Sequence, residues 1–201
     1  MLFNKKFLCG LLIFLAGALA IIALRFALVK NTAVHYHANF ALYVNGMQDK
    51  FDNFTFYEEV ASCSSDSDNP KHRAHLHDNK NHLIHVHDAG VTWGHFFANL
   101  GYGLSDKSLT TDSGVFASGV SGKTLSIILN DQFVSSIANR EIKSEDVLLI
   151  NYGVEAQPEI QTRFLAITRD AGTFNSKSDP AACSGGDKLD FSTRLKRTLD
   201  F

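Results

Sequence analysis

Histidine alternates with apolar residues in three short stretches, and this alternation restricts the fold more than any other feature of the chain. The three histidine pairs are His35/His37, His75/His77 and His85/His87. Successive side chains of a β-strand point to opposite faces of the sheet, so the two members of each pair share one face. The apolar residues beside them, among them Val34, Leu76 and Val86, are all even-numbered. The pattern therefore predicts three strands with one core face and one histidine-bearing face.

The first strand is predicted over residues 34–44 and ends at Asn45-Gly46, a dipeptide typical of hairpin turns. Residues 47–56 would return as its hairpin partner. Residues 73–78 and 84–88 are predicted to form a second hairpin, because an odd-length loop between them keeps the apolar positions of both strands on the core face. This register sets imidazoles opposite one another on a non-core surface: His77 with His85, and His75 with His87.

The rest of the pattern predicts an α+β fold with a mainly antiparallel sheet and a few short helices, preceded by one N-terminal transmembrane helix. A helix is predicted from Trp93 to Leu100, with Thr92 as its cap and Gly101 as its stop. Further strands are predicted at 115–116, 123–129, 133–137 and 146–152, an amphipathic helix over 160–174, and a short closing helix over 189–201.

The N-terminal segment is a charge-free apolar run from Phe7 to Leu24, interrupted at Arg25 and resumed to residue 29. At about 1.5 Å per residue, such a run can cross a hydrocarbon core of about 30 Å. A signal peptide cleaved near Ala18 and Ala20 is the alternative, but the continuation of the run favours an uncleaved anchor. Residues 7–29 would then contact membrane lipid. Positive charges before the run place the N-terminus in the cytoplasm and the following domain outside it, as a single-pass protein of the cell membrane.

The predicted organisation has three parts: a cytoplasmic stub and anchor (or signal peptide) at 1–30, an extracytoplasmic histidine-rich domain at 31–153, and a C-terminal amphipathic helix and tail at 154–201. We expect the last part to pack on the domain, although the basic closing helix could instead lie on the membrane surface. Outside the cytoplasm a disulfide can persist, and we favour a bond between Cys63 and Cys183. The alternative is that Cys63 binds metal.

Imidazole is the commonest transition-metal ligand in proteins, and the histidine pairs therefore predict a divalent metal site, with zinc or copper favoured. The predicted ligands are His75, His77, His85 and His87, joined by His35 and His37 if the first strand is adjacent. Secondary candidates are His95, Asp78 and Asp88, the two carboxylates as ligands or as groups that orient a histidine. His82 falls at a turn and is left out of this set.

Two alternatives to simple metal binding stay open at this point. The cluster could be metal-free and serve structure or a pH response, in an envelope protein with a structural or interaction role. A metal-dependent hydrolase is the second alternative. No HExxH, HxHxDH, GxSxG or phosphate-binding motif occurs, so no catalytic residue is assigned and a binding role is favoured over an enzymatic one. A net charge of −2 gives no basic field for nucleic acid, and no protein partner is indicated.

Four segments resemble a group of uncharacterised bacterial exported or membrane-anchored proteins with an HxHxxxxxYVNG strand and an LHxHD…IHV histidine motif. The matching segments are HYHANFALYVNG at 35–46, HLHD at 75–78, LIHV at 83–86 and TWGHFF at 92–97. NYG at 151–153 is similar to the last strand of the group, so the resemblance extends over residues 35–153. It implies a shared domain and no assigned activity. His87, His95 and the tail with Cys183 are departures from the group.

Overall fold

The structure is a computed structural model, and it describes residues 5–29, 33–57, 69–177 and 191–199. The chain forms two units, one of Met1–Asn31 with Gly185–Phe201 and one of Thr32–Ser184. In chain order the elements are α1 (Lys5–Leu28), β1 (Ala33–Val44), β2 (Met47–Gln48), β3 (Ala74–Leu76), β4 (Leu83–Asp88), α2 (Trp93–Asn99), β5 (Gly103–Leu104), β6 (Ser108–Thr111), β7 (Gly114–Ala117), β8 (Thr124–Leu129), β9 (Gln132–Phe133), β10 (Val147–Gly153), α3 (Gln157–Leu165), α4 (Ala171–Asn175) and α5 (Phe191–Leu199).

The first unit contains α1 and α5. Helix α1 has 24 residues and a mean hydropathy of 2.8 in its most apolar window, so it is long and apolar enough to cross a membrane. A signal sequence near an N-terminus has the same properties. The sequence thus predicted the helix correctly, and both a membrane anchor and a signal sequence fit it.

The second unit is built on a seven-stranded sheet of order β3-β4-β1-β10-β8-β9, with β2 paired to β1. The fold is α+β as predicted, but the sheet is mixed, because the central pair β1 and β10 runs parallel. All seven residues of β10 are buried, which matches its nearly continuous apolar sequence. Hairpin signals report only on neighbouring strands, so this long-range parallel pair was not foreseen. Strands β5, β6 and β7 form a separate antiparallel sheet.

The even-numbered residues of β1, β3 and β4 form the main core, as the alternation predicted. Phe40 packs edge-on against Phe96 of α2, with ring centroids 5.2 Å apart. Burying one such side chain stabilises the fold by about 1.5–3 kcal/mol. Helix α2 begins as expected at Thr92, whose hydroxyl accepts from the backbone N–H of His95. The helix stops before Gly101, which has a positive φ of 79°.

The odd-numbered face is also covered, which the sequence did not predict. A second apolar cluster packs α3 against the sheet: Ala41, Ile128, Val147, Leu149, Ile160, Phe164 and Ile167. The helix predicted over 160–174 is two helices, α3 and α4. The chain breaks between them because the side chain of Asn39 accepts from the backbone N–H of Ala171 and donates to Asp170. Tertiary hydrogen bonds therefore replace helical ones at this point.

Two predicted return strands are much shorter than expected. Strand β2 has two residues, because the chain turns inward at Phe51, a buried residue with an unusual positive φ of 48°. The carboxylate of Asp49 accepts from the Phe51 backbone N–H and holds this turn. Strand β9 is likewise limited to Gln132–Phe133.

Residues 154–201 were predicted to pack on the domain, and the structure shows this for α3 and α4 but not for α5. Helix α3 packs on the sheet, and α4 joins it through the hydrogen bonds of Asp170 and Ala171. Helix α5 belongs instead to the unit that contains α1, so its docking on the domain stays a prediction. The predicted disulfide between Cys63 and Cys183, like the alternative role of Cys63 in metal binding, lies outside the described residues.

Candidate metal centre

Six imidazoles lie together on the odd face of three adjacent strands, and we call them the histidine cluster. Strand β4 lies between β3 and β1, and its His85 is directly opposite His75 on one side and His37 on the other. The cluster is completed by His35 on β1, His87 on β4 and His77, which directly follows β3. The ring-centroid distances between neighbouring members range from 4.2 to 6.2 Å.

The register of β3 against β4 differs from the prediction by two residues. We expected His77 opposite His85, but the structure pairs His75 with His85 and Leu76 with Ile84. The connection contains two tight turns, in which Lys80 N–H donates to the carbonyl of His77 and Leu83 N–H to that of Lys80. A shift of two preserves the parity of the side chains, so the histidines still share one face.

Five of the six histidines of the cluster are buried and His35 is half-buried, whereas a non-core surface was expected. His37, His75, His77, His85 and His87 are only 2, 2, 3, 8 and 5% exposed. Helix α4 contributes to this burial, since the ring of Phe174 lies 5.8 Å from that of His37. Two nitrogens, His35 Nε2 and His77 Nε2, are buried and make no hydrogen bond with the described residues. A buried polar atom left in this condition costs about 1–3 kcal/mol.

The tightest group within the cluster is His35, His37 and His85, which we call the triad. One ligand nitrogen from each residue lies within 4.8 Å of the other two. The Nε2 atom of His37 is 3.2 Å from the Nδ1 atom of His85. In a tetrahedral site with metal–nitrogen bonds of 2.0–2.1 Å, two ligand nitrogens are about 3.3 Å apart. The triad therefore has the spacing needed to hold one metal ion.

Asn175 fixes the orientation and tautomer of His37. Its Oδ1 atom accepts from His37 Nδ1 at 2.8 Å and from the His37 backbone N–H at 2.7 Å. An amide oxygen can only accept, so Nδ1 carries the proton and Nε2 is the lone-pair nitrogen. The Asn175 amide is itself held by its donation to Ser144 Oγ at 2.9 Å. No local sequence pattern pointed to Asn175, which is 138 residues from His37.

His75 and His77 are oriented in a similar way at the other side of the cluster. The Nδ1 atom of His75 donates to the carbonyl of Lys71 at 2.9 Å, which leaves Nε2 as the lone-pair nitrogen. The Nδ1 atom of His77 lies 3.5 Å from a carboxylate oxygen of Asp78. Their ring centroids are 5.3 Å apart, and the ring of His87 stacks 5.0 Å from that of His75. These residues surround the triad with further imidazoles.

The electrostatics of the cluster favour neutral rings. The pKa of His85 lies far below its ordinary value, first because burial penalises the charged ring and then because protonated neighbours would repel it. Those neighbours are His37, His75, His77 and His87. Metals bind the neutral imidazole, so at neutral pH His85 is already in the form that coordinates.

Three predicted or neighbouring residues lie outside the cluster. His95 is exposed at the start of α2, where its Nδ1 accepts weakly from the Thr92 backbone N–H at 3.4 Å. Asp88 forms an ion pair with Arg73 at 2.8 Å. His82, left out of the predicted ligand set, is 3.1 Å from a carboxylate oxygen of Asp170 and belongs to a separate group.

A cavity of about 160 Å³ opens elsewhere on the domain, lined by residues that include Tyr43, His82 and Arg163. None of the six imidazoles of the cluster lines it. The guanidinium of Arg163, which lines this cavity, donates to Asn151 and forms an ion pair with Glu155 at 3.1 Å. This cavity therefore gives the cluster no substrate cleft.

No protein-family model, curated protein or solved structure matches this chain. The functional assignment therefore depends on the geometry of the cluster itself.

Proposed function

We propose that this protein binds a divalent transition metal through the histidine cluster, with the triad of His35, His37 and His85 as the primary ligands. The observation that carries this proposal is the 3.2 Å distance between the lone-pair nitrogen of His37 and the Nδ1 atom of His85. Asn175 supports it, because a metal-binding histidine usually donates its other ring N–H to an oxygen.

The burial of the cluster argues for a ligand. Buried imidazoles at ring distances of 4–6 Å cannot share a site as cations, because each protonated ring would repel the others. As neutral rings they still leave His35 Nε2 and His77 Nε2 without hydrogen bonds to the described residues. A metal ion would accept such lone pairs and offset the cost of burying them.

The ligand chemistry favours zinc or copper in the divalent state. All six side chains of the cluster offer nitrogen, which suits Zn²⁺, Cu²⁺ and Ni²⁺, whereas Ca²⁺ and Mg²⁺ prefer oxygen ligands. The chain has only two methionines, Met1 and Met47, so a thioether-rich Cu⁺ site is not supported. Met47 is 74% exposed on β2.

The cellular setting is an extension of this proposal. Helix α1 would anchor the chain in the cell membrane, and Lys5 and Lys6 before the apolar run favour a cytoplasmic N-terminus. The histidine domain would then bind metal outside the cytoplasm. The exported proteins that the segments at 35–46 and 75–78 resemble would share this location. The proposed role is binding rather than catalysis, because no catalytic motif is found in the sequence.

Metal analysis of the purified full-length chain tests this proposal. After loading with zinc, copper or nickel and removal of free metal, we expect about one tightly bound ion per chain. The double variant His37→Ala/His85→Ala should lose it. The matched control is His95→Gln, which changes a histidine outside the cluster and keeps a side chain suited to its capping position. Less than about 0.2 ion per wild-type chain, with every metal tried, would contradict metal binding and favour the metal-free envelope protein.

A further inference from the structure

Helix α5 is short, basic and amphipathic. Its apolar residues Phe191, Leu195 and Leu199 follow a spacing of four, which places them along one side of the helix. They are 70, 37 and 46% exposed, although each is a large hydrophobic side chain. The helix carries three basic residues and no acidic one, with Asp190 and Asp200 just outside it. Apolar residues with adjacent cations are typical of helices that lie in a membrane interface.

The start of α5 is attached to the last turn of α1. The rings of Phe191 and Phe26 lie 5.6 Å apart, and the guanidinium of Arg194 sits 4.4 Å above the ring of Phe26. Arg194 Nε also donates to the carbonyl of Phe26 at 2.8 Å. Carbonyls in the last turn of a helix have no partner within that helix, so Arg194 supplies one. These contacts fix α5 at the C-terminal end of the apolar helix.

This attachment sets the level of α5 relative to a bilayer. A helix of 24 residues is about 36 Å long, slightly more than the hydrocarbon core of about 30 Å. Its last turn, with Phe26 and Arg25, would therefore lie at the boundary between acyl chains and headgroups. Helix α5 would lie at the same level.

We propose that α5 is a membrane-surface helix whose occupant is the phospholipid leaflet into which α1 emerges. Phe191, Leu195 and Leu199 insert among the upper acyl carbons, and Lys196 and Arg197 lie at the lipid phosphates. With Asp190 and Asp200 included, residues 190–200 carry three basic and two acidic side chains, a net charge of +1. Apolar insertion therefore dominates, and anionic lipids strengthen it modestly. This inference rests on the membrane part of the proposed function and is independent of metal.

Tryptophan depth measurements in the full-length chain test this inference. Leu195→Trp and Lys196→Trp are compared, each with Trp93→Phe so that one indole reports, in vesicles whose acyl chains are brominated. Bromine quenches fluorescence only at short range, so we expect Leu195→Trp to be quenched at least about twofold more than Lys196→Trp. Acrylamide in the water should show the reverse order. Equal bromine quenching at both positions would overturn the inference.

Lipid composition and a flotation step distinguish surface binding of α5 from membrane insertion of α1. Vesicles of phosphatidylcholine alone are compared with vesicles containing roughly one third phosphatidylglycerol, in which quenching of Leu195→Trp should increase. A chain that floats with vesicles but shows no preferential quenching of Leu195→Trp contradicts the role of α5 alone. A chain that fails to float contradicts membrane insertion of α1 as well. Arg194→Gln should reduce the quenching of Leu195→Trp, because it removes the link to α1.

Discussion

Two polar groups lie side by side along β1, one mostly buried and one with half-buried members, and their side chains are satisfied in different ways. The first is the histidine cluster. The second, the Asn39 group, consists of Asn39, His82 and Asp170. Within it, Asn39 donates to Asp170 at 2.8 Å, and His82 Nε2 lies 3.1 Å from the other carboxylate oxygen. The Asn39 group is linked by hydrogen bonds between protein atoms, whereas His35 Nε2 and His77 Nε2 of the cluster are buried without a hydrogen bond to the part of the chain that the structure describes.

The difference shows what each group can be for. Asn39 and His37 are two residues apart on β1, so strand geometry presents their side chains on the same face. Helix α4 contacts both, through Ala171 at its start and Asn175 at its end. The Asn39 group completes the fold without any ligand. The cluster has the same support from α4, and three of its nitrogens are spaced so that they could hold a metal ion.

The largest effect should come from removing the central ligand. We expect His85→Ala to weaken zinc binding by more than about 100-fold, because it removes one of the three nitrogens of the triad. Its counterpart in the Asn39 group, His82→Ala, should leave the zinc affinity within about threefold of wild type. Isothermal titration of both variants makes the comparison. Equal losses would mean that the two groups are not functionally distinct.

Metal addition should stabilise the protein through the cluster only. An ion present at 100 times its Kd adds about 2.7 kcal/mol to the free energy of unfolding of a protein that binds it only when folded. Thermal unfolding with zinc and with a chelator measures this difference. The increase should persist in Asn39→Ala and disappear in His37→Ala/His85→Ala. A shift of similar size in the double variant would indicate binding elsewhere.

Disrupting the Asn39 group should cost stability and spare metal binding. Asn39→Ala leaves the backbone N–H of Ala171 and the carboxylate of Asp170 without this partner, at a cost of about 1–3 kcal/mol. Chemical denaturation of the metal-free protein measures that cost. The zinc affinity of the folded variant should change by less than about threefold, provided that α4 stays in place. A large loss of affinity would show that the two groups are coupled through α4.

Substitution of Asn175 should instead affect metal affinity more than stability. Asn175→Leu removes the acceptor of His37 Nδ1–H and should lower metal affinity by about 10–100-fold. Asn175→Asp keeps an acceptor at the same position and should restore most of the affinity, which a purely structural role would not predict. Competition with a colorimetric zinc chelator gives both values. Equal losses in the two variants would argue against the orienting role.

The smallest effect concerns acid stability at the Asn39 group. Burial alone would raise the pKa of Asp170, but hydrogen bonds from Asn39 and His82 and the charge of His82 outweigh it and lower the pKa below its ordinary 3.8. A lowered folded pKa contributes stability that is present above about pH 4 and lost as the pH falls through the folded value. Asp170→Asn should therefore flatten the pH dependence of metal-free stability below pH 4. An unchanged pH dependence of stability would show that Asp170 does not contribute to acid stability.

The sequence by itself determined which side chains share a face. The parity of the six histidines of the cluster against their apolar neighbours follows from the two-residue period of a strand. It placed His75, His77, His85 and His87 on one face even though the predicted register was wrong by two residues, and it added His35 and His37 on the condition that β1 is adjacent, as it is. The helix at 93–99, its Thr92 cap and the apolar N-terminal helix follow from equally local rules.

Tertiary structure alone decided how that face is used. The parallel pairing of β1 with β10 and the division of one predicted helix into α3 and α4 depend on residues about a hundred positions apart. The same contacts bury the cluster and bring Asn175 to His37. Hydrophobic periodicity and secondary-structure propensity depend on neighbouring residues in the sequence. They contain no information on contacts between residues about a hundred positions apart. The sequence therefore predicted a row of histidines, and only the packing of α4 shows it as a buried and oriented set of imidazoles.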